Sequence, residues 1–341
     1  MVTTLRGTDI DIRSYINKQK PLKNALAIAY GCLGYATAII FLILPYVWLN
    51  VLGVMLLTHS LLYSAYLSHE FMHGNIFKSR RWNTLFGNVM LWLNGGYYNR
   101  FQDLTLQHLA HHRDRADIFT FDPVTALQKQ SPLIRKSILV LEWCYFPVIG
   151  FWSRWHSILS PWWNRERCHR QVSTALIISI RGCLFIGLGI VSPKALGLYF
   201  LSYLGMMTIM RWADAFQHTY EGFPLGTSLP KRDRAHEEAN TFSTLLSRRY
   251  PWLNLLLLNF GYHCAHHAVM KCPWHSIQEL DQQLYQDQEI RYISLGQQLK
   301  NYHQFRVTRF IKGQGEAIDE QGNPTPEKFY GAHDVSFLML Y

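Results

Sequence analysis

The chain has 341 residues, 49% of them hydrophobic and only 16% charged, a charged share well below the roughly 25% usual in soluble domains. Its 33 Lys and Arg against 23 Asp and Glu leave a formal net charge of +10. The basic residues lie where membrane-flanking segments are expected to carry them and no nucleic-acid motif accompanies them, so nucleic-acid binding is excluded. The six cysteines form no CxxC pair and read as reduced packing thiols, which excludes a disulfide scaffold.

A mean hydropathy of -0.05 averages two unlike parts. Residues 1–23 are polar and lack the apolar core and cleavage site of a secretory signal. Ala25–Leu44 then carries no charge over 20 residues, and Tyr46–Ser68 none over 23. Each is long enough to cross about 30 Å of hydrocarbon, with Pro45 marking the turn between them. The sequence HEFMH follows at once. Its His69 and His73 stand at i and i+4 on a helix that leaves the membrane, so both rings point to one face. Trp82–Tyr98 is apolar but interrupted by Gly87, Asn88, Asn94, Gly95 and Gly96, and is not expected to cross. HLAHH supplies His108, His111 and His112. In Ser131–Trp163, residues Arg135, Lys136, Glu142 and Arg154 suit an interfacial amphipathic helix, with Trp143, Trp152, Trp155, Trp162 and Trp163 at headgroup level.

A second apolar pair, Val172–Val191 and Ala195–Met210, is joined by Ser192-Pro193-Lys194. The expected spans are thus about 25–44, 46–68, 172–191 and 195–212. Arg181 falls mid-span, where a lipid-facing arginine costs about 2.5 to 3.5 kcal/mol, so it should face the bundle interior or snorkel. Beyond lies a lone histidine, His218, with Asp214 four residues before it. Asp214 reads as a ligand through water, as an acceptor that fixes a ring tautomer, or as a surface aspartate at a helix end. Pro251–Tyr262, at 12 residues, is too short to span. HCAHH brings His263, His266 and His267. The membrane domain is taken as 24–280. Residues 281–341 read as polar and loop-like, with a late apolar patch, Val335–Tyr341, available to dock on the cap.

Arg6, Arg13, Lys18, Lys20 and Lys23 precede the first span and Lys78, Arg80 and Arg81 follow the second, while the turn between them has no cation. The positive-inside rule then puts both termini, and all four histidine groups, on the cytoplasmic side.

Nine clustered imidazoles exceed the three or four that a single ion takes, which implies two metal ions close together. In HxxHH the first and second histidines are expected to share a face and the third to point about 100° away, so that one turn serves two metals. HEFMH also fits the HExxH zinc-protease signature with Glu70 as general base, but that reading leaves six or more clustered histidines without a role. A metal carrier would place its ligands near mid-membrane rather than at span ends. His59 reads as a packed ring, and His156, His169, His236, His275, His303 and His333 as ordinary residues. Cys264 reads as a packing thiol. Glu221, Glu237 and Glu238 are read either as carboxylates that orient ligand rings or as members of a solvated loop.

In HEFMH, HLAHH, the lone His218 and HCAHH, in that order and with apolar hairpins before the first and third, the chain resembles the membrane-bound histidine-box superfamily of fatty acid desaturases and related hydroxylases. The resemblance covers roughly Ala25 to Leu280. It implies an all-α integral membrane protein: four transmembrane helices in two hairpins, with a cytosolic helical cap carrying the boxes. It further implies that all nine histidines, His69, His73, His108, His111, His112, His218, His263, His266 and His267, ligate a non-haem di-iron centre. That centre uses O2 as co-substrate and two external electrons on an acyl chain in a bent apolar tunnel. Three residues rather than four separate His69 from His73, as in many acyl-lipid desaturases, alkane hydroxylases and carotenoid oxygenases. Asp214 stands where acyl-CoA desaturases carry asparagine. His263 stands where front-end desaturases commonly have glutamine. No fused haem-binding donor domain is visible, which implies a separate electron donor such as ferredoxin. The implied reaction is desaturation of a fatty acyl chain, free or linked to lipid, coenzyme A or acyl carrier protein. Acetylenation, hydroxylation and decarboxylation to a terminal alkene are alternatives on the same scaffold. The basic face suits anionic lipid, an acidic acyl carrier or coenzyme A phosphates.

Overall fold

In hydrocarbon every backbone group must be satisfied within the chain, so long uncharged stretches become helices. A computed structural model describes residues 11–332 except 17, 120 and 320; Arg6, His333 and the patch Val335–Tyr341 lie outside the described residues. The first two apolar stretches form α1 (Pro21–Ile43) and α2 (Val47–His73). The turn between them is held by Asn50, whose amide donates to the carbonyls of Phe41 at 2.7 Å and Leu44 at 3.0 Å. The two helices approach closely at Gly53, where a Cβ would sit 2.9 Å from Leu42. Helix α2 continues to His73 and closes on Gly74 at φ 69, the left-handed cap that glycine adopts without cost.

Helix α3 (Arg80–Asn94) packs along α2 and leads through a turn into α4 (Phe101–Asp114). Phe101 is buried against α3 at Gly87, where a Cβ would collide with its ring. Strand β1 (Asp117–Phe119) pairs in parallel with β2 (Gly222–Pro224), tying the end of α4 to the loop after the second hairpin. The region between holds α5 (Pro123–Gln128), α6 (Pro132–Trp143) and α7 (Val148–Leu159). The single interfacial helix expected over Ser131–Trp163 is therefore broken. Tyr145 takes a left-handed φ of 64 and Pro147 ends any helical ladder there. At the break Glu142 turns inward, accepting from the Ile149 N–H at 2.7 Å and from Arg211 at 3.0 Å.

The second hairpin is α8 (Gln171–Val191) and α9 (Pro193–Asp214). Only Thr174 and Arg181 of α8 are buried. Arg181 donates to the Trp92 carbonyl and lies 4.7 Å from the Trp92 ring and 5.6 Å from that of Tyr98, so it faces the bundle interior. Among the described residues, three helices are by length and composition apolar enough to cross a membrane: Pro21–Ile43, Val47–His73 and Arg165–Val191. Helix α9 has 22 residues, but Tyr199, Ser202, Tyr203 and Arg211 dilute its apolar run, so three of the four expected spans meet the criterion.

The remaining helices are short: α10 (Arg234–Ala239), α11 (His263–Ala268), α12 (Ile277–Tyr285), α13 (Leu295–Phe305) and α14 (Arg309–Lys312). Residues 281–332 are thus not loop-like as expected. Gln298, Asn301 and Tyr302 of α13 are buried, and the division at 280 falls inside α12.

Candidate metal centre

Four pieces of chain converge where α2 ends. Helix α2 delivers His69 and His73, and α4 delivers His108, His111 and His112. His218 lies in a backbone bridge to Thr241, and α11 carries His263, His266 and His267. All nine rings meet. His69, His73, His108, His112 and His266 form one group, and His111, His218 and His267 a second, with the ligand nitrogens of each within 4.8 Å of one another. His263 joins the second group, its Nε2 lying 2.7 Å from that of His218.

The division within each HxxHH turn differs from the expected one. His108 and His112, the first and third, share a group while His111, the second, enters the other. His263 and His267 likewise sit together, and His266 crosses over. At 100° per residue, positions i and i+4 are about 40° apart and i and i+3 about 60°, so the i, i+4 pair is the better aligned.

The ring nitrogens face one another. Nε2 of His73 lies 2.8 Å from that of His108 and 3.3 Å from that of His69. Nε2 of His112 lies 3.1 Å from those of His108 and His266. Nε2 atoms of His111 and His218 are 3.3 Å apart. Donors about 2.1 Å from a shared ion are about 3.0 Å apart at right angles and about 4.2 Å when opposite, which matches this spacing. Burial pushes His108, His112, His218, His263, His266 and His267 well below the ordinary imidazole range. The rings are therefore neutral, each with a lone pair to give. Among the described residues, Nδ1 of His73, His112 and His263 finds no hydrogen-bond partner, and the contacts of these rings run through the inward nitrogen.

Three rings of the second group are held from behind. With Nε2 inward, His111 Nδ1–H donates to Asp117 at 2.8 Å, His267 Nδ1–H to Glu237 at 3.1 Å, and His218 Nδ1–H to the Asn240 carbonyl at 3.3 Å. Glu237 was among three glutamates singled out in the sequence; Glu221 instead pairs with Arg232 at 2.9 Å and Glu238 with Arg234 at 3.2 Å. Asp117 was missed. The signal was there in an acid just past the histidine turn, reached because Arg115 turns the chain at φ 53. Asp214 is buried but accepts from the Tyr66 hydroxyl at 3.4 Å and makes no described hydrogen bond to a ring. Helix α9 stops at Asp214, so the i, i+4 relation to His218 does not hold.

One oxygen of Glu70 accepts from the Trp274 N–H at 3.0 Å and from Asn75 at 3.4 Å, and the other lies 3.6 Å from Nδ1 of His69. Cys264 is buried with its sulfur 3.2 Å from the Thr241 carbonyl, and burial pushes its thiol up to about 12, which suits packing. His59 sits in α2 with Nε2 2.9 Å from the Leu256 carbonyl. His156 stacks on Phe121, the ring centroids 4.2 Å apart.

Comparison with curated proteins finds no match. The sequence pattern of the family described as fatty acid desaturase, by contrast, matches residues 46–296, a stretch that begins just before α2 and takes in all four histidine groups. On that match, covering well over half of its length, the chain belongs to the fatty acid desaturase family.

Proposed function

We propose that the chain is an O2-dependent membrane oxidoreductase with a di-iron centre, acting on a fatty acyl chain, with desaturation as its reaction. The observation that carries this is the arrangement of nine imidazoles, eight of them buried, in two adjoining groups, with several neighbouring ring nitrogens 2.7 to 3.3 Å apart. Neutral imidazole suits iron, copper and zinc, but zinc has no redox chemistry. An iron pair held there would supply the oxidising power to take two hydrogens from adjacent carbons, with O2, two electrons from a separate donor such as ferredoxin and two protons from solvent consumed and two waters released.

The first group of five is proposed to hold one iron and the second group, with His263, the other. Asp117, Glu237 and the Asn240 carbonyl fix three rings so that their lone pairs stay inward. The buried core of α1, α2, α3 and α9 includes Leu67, Phe71 and Met72, the α2 residues interleaved with His69 and His73. Placement of the histidines at the end of α2, rather than mid-span, favours an enzyme at the membrane surface over a carrier. The nine clustered histidines, far more than the two of an HExxH site, count against a protease. Which C–H bond meets the irons decides between desaturation and the alternatives of acetylenation, hydroxylation or decarboxylation. We place the site and both termini on the cytoplasmic side, where the flanking cations lie.

Metal analysis of detergent-purified protein should find close to two irons per chain, and His111→Ala or His266→Ala should lower both iron and activity. Oxidation of an acyl chain should stop without O2 and without a donor. One zinc with no iron, or equal product under anaerobiosis, overturns the proposal.

A further inference from the structure

Pro251–Leu257 forms a short 3-10 turn that packs on α2. On and beside it Tyr250, Trp252, Leu255 and Leu256 point outward, each between 41% and 65% exposed. A contiguous patch of four large apolar side chains is more than a water-facing loop of this size ordinarily shows.

Two side chains of α2 fix the depth of the turn. The Tyr63 hydroxyl donates to the Leu255 carbonyl at 2.5 Å, and His59 Nε2 lies 2.9 Å from the Leu256 carbonyl. A carbonyl can only accept, so Nε2 carries the hydrogen, and the neutral ring takes that of the Tyr30 hydroxyl at Nδ1. At a rise of about 1.5 Å per residue, His59 and Tyr63 stand about 18 Å and about 24 Å from Val47, where α2 begins. Hydrocarbon about 30 Å thick that starts at Val47 ends about 12 Å beyond His59 and about 6 Å beyond Tyr63, and any tilt of α2 takes both deeper. The lipid-facing surface continues past this level, since Leu26 and Leu33 of α1, one turn either side of Tyr30, are exposed.

Irregular backbone persists at such depth only where its polar groups are met within the protein. Buried Asn254 accepts from the Leu246 N–H at 2.7 Å and donates to the carbonyls of Ser247 at 2.8 Å and Pro251 at 3.1 Å. The Leu258 N–H turns back to the Leu255 carbonyl at 3.0 Å, and α2 supplies the two donors above. Arg248 and Arg249, exposed just before the turn, stand where a headgroup layer would meet the descending chain.

We infer that residues 250–257 form a re-entrant element that dips into the bilayer beside α2 without crossing it, with Tyr63 and His59 holding its carbonyls and Trp252, Leu255 and Leu256 facing lipid acyl chains. His263 lies seven residues past Leu256, so the bilayer braces the turn that carries the last histidine group. The inference rests on α2 crossing the membrane and not on the reaction proposed above.

The test is the depth of a nitroxide label in the full chain, with Cys32, Cys144, Cys168 and Cys183 replaced by alanine, reconstituted into phosphatidylcholine vesicles. Labels are placed at Leu256→Cys and, as a water-facing control, at Gln282→Cys, a position exposed on α12. Electron paramagnetic resonance compares collision with O2, which concentrates in hydrocarbon, against collision with a water-soluble nickel chelate. The oxygen-to-nickel ratio should be about ten-fold higher at the first position than at the second, which corresponds to about 1.4 kcal/mol of preferential partition. His59→Phe/Tyr63→Phe, which strands both carbonyls, should lower the ratio at Leu256→Cys several-fold. Equal ratios at the two positions overturn the inference. A label at Leu256→Cys shielded from both reagents and broadened by a neighbouring label also overturns it, and assigns the face to a second copy of the chain. A ratio unmoved by the double variant overturns the role given to His59 and Tyr63. Depth is read without turnover, so failure of the proposed reaction leaves this result standing.

Discussion

Behind the inward nitrogens, individual side chains decide whether each ring keeps its lone pair pointed at the centre. Glu237 accepts from His267 and also from Arg115 at 3.1 Å, so it is fixed before it fixes the ring. Asp117 does the same for His111 from a strand position. Removing such a partner usually costs 10 to 100-fold in metal affinity or activity. Glu237→Gln and Asp117→Asn should therefore each lower iron per chain and turnover by about that factor. Glu221→Gln, which loses only a pair with Arg232, should do neither; metal analysis and turnover of the three variants check this. Frequency in the sequence explains why Asp117, unlike the histidines, is not legible in advance, and why Glu237 stands out only together with Glu221 and Glu238. A histidine group is rare and self-announcing, but an acid near it is ordinary until the chain path is known. Asp214 illustrates the reverse error, since a spacing of four residues means a shared face only while the helix continues.

At the level of elements, the same geometry that made the boxes legible also made their division ambiguous. HEFMH has one pair at i, i+4, and both rings fall in one group as expected. HLAHH and HCAHH each contain an i, i+3 and an i, i+4 pair, and only the roughly 20° difference between them, acting with the approach of the partner helices, selects the outcome. Helix boundaries in the cap were less legible. The break at Tyr145–Pro147 depends on burying Glu142 against Arg211, and α13 depends on burying Gln298 and Asn301, contacts between segments far apart in sequence. Gly261 tests how tightly these elements are fitted. A Cβ there would lie 2.5 Å from the Thr244 carbonyl oxygen, and the Gly261 carbonyl itself accepts from the Thr244 N–H at 2.8 Å. Backbone against backbone cannot yield as a side chain can. Gly261→Ala should shift the start of α11, cost about 1 to 3 kcal/mol, and reduce iron content although Gly261 touches no ring. Thermal melting and metal analysis of the purified variant read both effects, and an unchanged iron content would show that α11 is set independently of this contact.

For the whole molecule, the two hairpins bring the sequentially distant groups to one level. That arrangement requires α9 to return the chain to the side from which α2 emerged, and α9 is the helix whose apolarity is weakest. The buried face of α9, with Tyr199, Ser202 and Met206 inside, explains the dilution: a helix packed against α2 along its length needs less hydrocarbon character than α8, whose surface is almost wholly exposed. Reporter fusions in Asp233–Asn240 and after Tyr341 should both give a cytoplasmic signal. A signal from the opposite side in Asp233–Asn240 would mean that the second hairpin does not return.

Crossing of His111 and His266 between groups has a consequence for loading. Each HxxHH turn is shared, and His112, Glu237 and His267 form a third close set that spans the boundary. On the proposed two-ion centre, an ion entering either group would fix the rotation of α4 and α11, and with it the donors of the other. The conformational cost of ordering these turns is met at the first binding event, so the second ion finds its site assembled, and the coupling is reciprocal. On that proposal, occupancy should run from none to two with little of the half-filled form, which would spare the chain a lone redox-active ion beside its own buried aromatic rings.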